Sequence, residues 1–403
     1  MVHSLEMFSG AGGLALGLHQ AGFKPAALLE WDKDSCDSIK ANITNGYKGI
    51  ADWNVVQADV RLVRYSDYGP GIQFVTGGPP CQPFSLGGKH KAHTDSRDMF
   101  PEAVRAIREL KPYGFIFENV KGLLRKSFST YFNYILLQLS HPEVTARDDM
   151  DWAEHLKLLE EYHTSNAHNG LEYNVVVRLL NAADYGVPQT RQRVVIVGFR
   201  NDLNVKWSFP ELTHSKEALL YAKYGDGSYW EEHEVAKKNR HVASANERIR
   251  ATQPSQMSLL KSERWQTVRD ALNGLPDPRS DRAGNYTNHE FRDGARAYKG
   301  HTGSILDEPS KTIKAGAHGV PGGENMLVFD DGSLRYYTVR ESARIQTFPD
   351  DYLFNGSWTE SMRQIGNAVP VTLANVIGDS VMKQLERVVV SDAEREQANH
   401  KAV

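Results

Sequence analysis

The sequence predicts a doubly wound α/β fold: a mostly parallel sheet covered by helices, with a smaller irregular domain set into its later part. Three observations predict it. From Val2 to Phe199 short apolar runs alternate with helix-like stretches, which is the rhythm of strands joined by crossover helices. The first apolar run empties into a glycine-rich turn and then a helix pattern, Phe8-Ser9-Gly10-Ala11-Gly12-Gly13-Leu14. From about Asn201 to Gly323 the rhythm stops, giving way to short pieces rich in Tyr, Trp, Arg and Lys and broken by Gly, Pro, Asn and Ser. With 403 residues, 40% hydrophobic and 24% charged, the chain can bury one large core and still form a second domain.

In chain order, strands are predicted at residues 5–8, 26–30, 55–58, 72–76, 115–117, 175–180 and 194–199, each a short apolar run. Helices are predicted at 14–20, 33–42 and 101–110, each followed by Gly, Asn or Pro punctuation. Residues 143–169 are polar and lack strand character. Their one amphipathic run, 152–162, reads as an inserted helix that decorates the fold. Helices are expected again at 338–347 and 374–385, and the polar end, 391–403, reads as frayed. The predicted organisation is thus a ligand-binding domain over 1–200, an irregular domain over 201–323, a segment over 324–390 that completes the first domain, and a tail over 391–403.

Composition excludes several classes. No apolar run approaches the ~18 residues of a membrane span, and no basic-then-apolar leader precedes the first strand, so no membrane and a cytoplasmic location are expected. Two cysteines, Cys36 and Cys81, rule out a disulfide framework and a cysteine-rich zinc site. The 15 histidines show no tight ligand spacing, so no metal is expected. Formal charge is −3 overall, yet residues 235–300 hold 13 basic against 7 acidic side chains, a local +6. That excess fits a surface for a polyanion. It fits a solvated surface of mixed charge equally well.

The chemistry-bearing residues gather at the ends of the predicted strands, where open α/β sheets bind ligands. Gly10 and Gly12 let a ligand approach the backbone at a helix N-terminus. Glu30 ends the second strand, where a carboxylate can accept from both hydroxyls of a ribose, and Trp31 offers a ring for a purine. Asp59, after the third strand, can accept from an exocyclic amine. Together they indicate an adenosine-type ligand. The fourth strand runs into Gly77-Gly78-Pro79-Pro80-Cys81-Gln82-Pro83-Phe84-Ser85, whose prolines fix the backbone around one cysteine. Phe117-Glu118-Asn119-Val120 brings a carboxyl group beside it, and Gln189-Thr190-Arg191-Gln192-Arg193 brings two guanidinium groups. Cys36, within a helix pattern, reads as structural.

These blocks, in this order, resemble the DNA (cytosine-5) methyltransferase family, together with Arg340 to Tyr352 and Gly366-Asn367-Ala368-Val369-Pro370. The resemblance spans most of the chain outside 201–323. It implies a Rossmann-like methyltransferase sheet with a target-recognition domain, S-adenosylmethionine as cofactor with S-adenosylhomocysteine as product, no metal, and double-stranded DNA as partner. It further implies that Phe8, Gly10 and Gly12 line the methionine and sugar, Glu30 holds the ribose, Trp31 stacks on adenine, and Asp59 with Val60 recognises the adenine edge. Pro80, Asn367 and Val369 complete that pocket. Cys81 is the nucleophile that adds to carbon 6 of cytosine, because carbon 5 does not attack a methyl sulfonium unaided. Glu118 serves ring nitrogen 3, Arg193 the ring carbonyl, and Arg191 orients the side bearing Glu118 and Cys81.

The target base must be flipped out of the duplex. Residues 84–98, with Ser85, Lys89 and Arg97, read as a loop that closes on DNA phosphates, and Thr312 as a residue beside the flipped nucleotide. The resemblance points to a bacterial or phage modification enzyme; a monomer suits an event on one strand, and the sequence leaves open whether a restriction endonuclease accompanies it. Two rival readings are an RNA cytosine methyltransferase and a catalytically inactive DNA-binding homologue. The RNA-modifying branch carries a further Cys-Phe-Thr segment, and here no Cys follows Cys81.

Overall fold

Seven strands lie side by side in one sheet: β1 (Val2–Met7), β2 (Phe23–Glu30), β3 (Val55–Gln57), β4 (Phe74–Gly77), β5 (Gly114–Val120), β6 (Tyr173–Asn181) and β7 (Gln192–Arg200). The computed structural model describes residues 2–80, 98–165, 170–252, 262–298, 302–315, 325–329 and 331–401, with side chains to residue 386. The spatial order is β3-β2-β1-β4-β5-β7-β6. The first five strands run parallel, whereas β7 is antiparallel to both β5 and β6. The reversal has a local cause. The link from Ala182 to Arg191 is shorter than the dozen or so residues that a parallel crossover needs, so β6 and β7 must pair antiparallel.

Period-two alternation assigns each strand residue to a face. Leu5, Met7, Ala27, Leu29, Val75, Phe115, Phe117, Val194 and Ile196 point to one side. There they meet α3 (Phe100–Leu110), α4 (Ser129–Ser140) and α5 (Trp152–Thr164). Phe74, Ile116, Val195 and Val197 point to the other side, towards α1 (Gly13–Gln20) and the last helix. No helix was predicted at α4, whose apolar residues run almost all round and acquire an inside only by packing. α5 begins with a capping box between Asp151 and Glu154 and buries Leu156 and Leu159 in the main core. The stretch expected to decorate the fold therefore helps build it.

After α2 (Lys33–Thr44), the irregular region contributes α6 (Lys216–Tyr224), α7 (Ser228–Glu232), α8 (Ala245–Thr252), α9 (Val268–Leu272) and a two-stranded pairing of β8 (His214–Ser215) with β9 (Glu263–Arg264). Leu219, Ala222, Tyr229, Trp230 and Val235 form its own small core. Its first residues do not belong to that core: Val205, Trp207 and Phe209 pack with β6, β7 and the last helix. β10 (Ser304–Ile305), β11 (Met326–Val328) and β12 (Leu334–Tyr336) form a third, small sheet. Part of the local basic excess is internal. Arg264 bridges Asp270 and Glu232, Arg269 pairs with Asp307, and Arg250 with Glu217.

The chain then returns to its beginning through α10 (Val339–Ile345), α11 (Trp358–Asn367) and α12 (Val371–Lys401). α12 lies against α1 so closely that a Cβ on Gly17 would come 2.3 Å from the Val371 carbonyl oxygen. This return sets Asn367, Ala368 and Val369 beside the glycine-rich turn. The backbone of α12 stays helical through Lys401, where the sequence reads as a frayed tail. Among the described residues no helix is long and apolar enough to cross a membrane.

Candidate active site

The turn after β1 is shaped by three residues in the left-handed region: Phe8 (φ 57°), Gly10 (φ 52°) and Gly12 (φ 84°). At Gly10 a Cβ would meet nothing within 4 Å, so the backbone faces open space. Gly12 does a different job from the one expected. It is the N-cap of α1 and lies under Tyr352, whose hydroxyl donates to the Ala11 carbonyl at 2.7 Å. It shapes the turn and is absent from the cavity wall. Below the turn, Glu6 accepts from the Ala15 amide at 3.0 Å and from the Thr76 hydroxyl at 3.3 Å. Burial pushes its pKa up to about 8, against the pull of those two donors.

A cavity of about 690 Å³ opens at this end of the sheet, and Phe8, Gly10, Glu30, Trp31, Asp59, Val60, Pro80, Glu118, Asn367 and Val369 all reach it. Glu30 organises one end. Its Oε2 accepts from the Gly10 amide at 2.7 Å and its Oε1 from the Asp32 amide at 2.8 Å. Each oxygen keeps a lone pair for a second donor. Burial raises the Glu30 pKa, and the Asp32 and Gly10 amides work against that rise. The Trp31 ring is 66% exposed at the rim, with the Arg61 guanidinium 5.8 Å from its centroid. Asp59 is less available than its sequence position implies. It caps the turn at Val60 and holds Arg61 through Nε at 2.9 Å and Nη2 at 2.5 Å, and that hydrogen bonding lowers its pKa.

The other end of the cavity is formed by β4 and β5. A Cβ on Gly78 would stand 3.4 Å from Glu118 Oε2, which sets this carboxylate against the strand end that leads to Cys81. Asn119 Nδ2 donates to the Pro79 carbonyl at 2.9 Å, and the Met99 amide to the Pro80 carbonyl at 3.0 Å. These bonds fix the backbone entering the cysteine loop against β5 and against the residue preceding α3. Residues 81–97 lie outside the described residues, so the readings of Cys81, Ser85, Lys89 and Arg97 fall there too.

Arg193 Nε is 2.5 Å from Glu118 Oε1, and both side chains are 11% exposed. β5 and β7 pair at Glu118 with Val195 and at Val120 with Arg193, which brings the two groups together. Arg191 sits elsewhere than expected. Fully buried, its guanidinium donates to the carbonyls of Ile313 at 2.9 Å, Gly366 at 2.7 Å and Ala368 at 3.0 Å. Burial draws its pKa down, the Arg193 charge adds to that, and Glu118 opposes it. Thr312 donates from Oγ1 to the Thr190 carbonyl at 2.8 Å.

Some lining residues escaped the sequence reading. Arg363, three residues before Gly366, reaches the wall and pairs with Asp32 at 2.8 Å. Asn119 lay in plain view inside Glu-Asn-Val, but its tie to Pro79 needs the neighbouring strand. Cys36 is buried, its Sγ 3.6 Å from the Glu30 carbonyl, and burial pushes its thiol up to about 11. Among the described residues, Glu232, His233 and Asp270 are close enough to suit a metal, yet Arg264 already bridges the two carboxylates.

Comparison with known proteins matches residues 2–142 and 155–383 to a family described as C-5 cytosine-specific DNA methylase. The chain is 31% identical over 390 residues to the Type II methyltransferase M.NgoMIV of Neisseria gonorrhoeae, covering 95% of this chain and 98% of that one. It is 33% identical over 393 residues to the Type II methyltransferase M.PspPI of Psychrobacter sp. (strain TA137), covering 94% and 79%. Among solved structures, the Dnmt2 methyltransferase of S. pombe superposes with a TM-score of 0.56 at 17% identity, over 96% of this chain and 99% of that one, a likeness of fold.

Proposed function

Because the chain belongs to the C-5 cytosine-specific DNA methylase family, we propose that it transfers the methyl group of S-adenosylmethionine to carbon 5 of a cytosine flipped from duplex DNA, with Cys81 as nucleophile. The observation that carries this reading is the continuity of one cavity between Glu30 and Trp31 at one end and Glu118 at the other. The first end suits an adenosine group: open backbone at Gly10, carboxylate lone pairs at Glu30 and an exposed ring at Trp31. When bound, S-adenosylmethionine supplies an electrophilic methyl group on a sulfonium.

The chain's own residues do the rest. The Cys81 thiolate adds to carbon 6, and the electron pair of the 5,6 double bond becomes available at carbon 5. Glu118 delivers a proton or hydrogen bond at ring nitrogen 3, where negative charge collects, and takes that proton back when the thiolate leaves. Arg193, held against Glu118, keeps that carboxyl group aimed and leaves guanidinium donors for the ring carbonyl. After transfer, loss of the carbon-5 proton, with an ordered water as acceptor, re-forms the double bond and expels the thiolate.

Residues 84–98 close on the DNA with Ser85, Lys89 and Arg97 towards phosphates, Thr312 lies beside the flipped nucleotide, and residues 201–323 read the site. The relatives named above are Type II methyltransferases, which supports a modification role; a companion restriction endonuclease and a monomer, suited to an event on one strand, complete the proposal. A duplex carrying 5-fluorocytosine tests the mechanism, because fluorine at carbon 5 blocks the elimination. The parent protein with S-adenosylmethionine should form a denaturant-stable adduct with that duplex; Cys81→Ser should form none, and RNA of the same sequence should not be trapped. An adduct that survives in Cys81→Ser would overturn the assignment.

A further inference from the structure

Arg191 stands at a junction of three chain segments far apart in sequence. Residues 310–315 come from the end of the irregular region, residues 365–368 from the cofactor side of the cavity, and Gln189-Thr190-Arg191 from the approach to β7. The Arg191 guanidinium ties the Ile313 carbonyl of the first to the Gly366 and Ala368 carbonyls of the second. Gln189, also buried, accepts from the Ile313 amide at 2.8 Å and donates to Gln346 at 2.8 Å. Gln346 in turn donates to the carbonyls of Ile365 at 2.7 Å and Ala368 at 3.1 Å. On the outer side, the Thr190 amide donates to the Ser310 carbonyl at 2.8 Å and Thr312 donates back to Thr190. At Gly366 a Cβ would come 2.2 Å from the Ala315 amide nitrogen, so the two backbones touch directly.

A buried cation shared among three carbonyls cannot release one of them cheaply, because no water is at hand to replace it. Segments 310–315 and 366–369 must therefore shift together or stay together. One carries Thr312, and the other carries Asn367 and Val369 on the cavity wall. We propose that Arg191 is a positioning residue that couples these two segments, so that DNA on the 310–315 side and cofactor on the 366–369 side strengthen each other's binding. The proposal rests on the reading above that Thr312 faces the DNA and that the cavity takes the cofactor.

The test is titration calorimetry of S-adenosylhomocysteine into the protein, with and without unmethylated plasmid DNA that bisulfite sequencing has shown to be a substrate. The quantity read is the ratio of the two dissociation constants. In the parent, DNA should tighten S-adenosylhomocysteine by about tenfold or more, a usual size for coupling between sites. In Arg191→Lys, which keeps the charge but cannot span three carbonyls, the ratio should fall to within about twofold, whatever the separate affinities. Thr190→Val, an exposed change that removes only the side-chain tie to Ser310, should give an intermediate ratio.

Hydrogen exchange on the parent needs no variant. S-adenosylhomocysteine alone should slow exchange at the Ile313 and Lys314 amides, which lie outside the cavity wall. A ratio unchanged in Arg191→Lys, a parent indifferent to DNA, or no protection at 313–314 would each overturn the proposal while leaving the cofactor assignment intact. Failure of the parent to bind S-adenosylhomocysteine at all would instead remove the reading on which the proposal rests.

Discussion

Replacing Glu30 with Gln tests the cofactor end of the cavity through one pair of atoms. In the free protein each carboxylate oxygen already accepts one backbone amide, from Gly10 at 2.7 Å and from Asp32 at 2.8 Å. In Glu30→Gln the side-chain NH2 must face one of those amides, donor against donor. That loss falls on bound and free protein alike and so drops out of the affinity. What changes on binding is that one ribose hydroxyl meets the NH2 group and loses its charged acceptor, while the other keeps the neutral amide oxygen. Such a bond contributes about 1.5–3 kcal/mol, so S-adenosylhomocysteine should bind roughly 10- to 150-fold more weakly.

A pH signature accompanies the loss. Burial raises the Glu30 pKa in the free protein, and hydroxyls donating to the carboxylate favour its charged form and lower that pKa in the complex. Affinity must therefore rise with pH through the free-protein titration and level off above it, and the slope should vanish in Glu30→Gln. Calorimetry at several pH values reads both effects. An affinity within about threefold of the parent would refute the argument.

Other perturbations test different parts. Glu6 titrates near 8 in the folded protein against 4.5 for an ordinary Glu, so its neutral form stabilises the fold at low pH. That contribution falls as pH climbs from 4.5 to 8, with a limiting slope of about 1.4 kcal/mol per pH unit. Glu6→Gln should flatten this slope and be the more stable protein at pH 8; urea denaturation at pH 5 and pH 8 decides, and parallel slopes would count against it. In a Cys81→Ser background, Cys36 should resist a thiol reagent at pH 7.5 until denaturant is added, since its thiol is buried and pushed up to about 11. Rapid labelling of the native protein would contradict that. Gly17→Ala should destabilise by at least about 1–3 kcal/mol, because the new methyl group meets the Val371 carbonyl and Ala374. An unchanged urea midpoint would show that α12 is free to move away from α1.

Much of this protein was legible in its residues because the informative signals are local. Short apolar runs marked all seven strands, since a strand buried on both faces must be apolar wherever it lies in the sheet. The glycines after β1 and the prolines before Cys81 announce backbone shapes that only those residues adopt readily, and Glu30 declares itself by ending a strand. Even the pairing of Asp59 with Arg61, two residues apart, was open to view as a capping turn.

What the sequence left undecided depends on partners that meet only in three dimensions. Arg191 and Arg193 stand two residues apart and carry the same charge, yet one braces backbone segments 122 to 177 positions away while the other meets Glu118. Likewise α4 and α5 become core helices only once a sheet face is there to cover them. A guanidinium takes the acceptors that the fold leaves within its reach, and burial fixes that choice by making any unmet donor costly. Local pattern thus determined which chemical groups this chain brings to the edge of its sheet, and tertiary packing decided which of them face the cavity and which hold its walls.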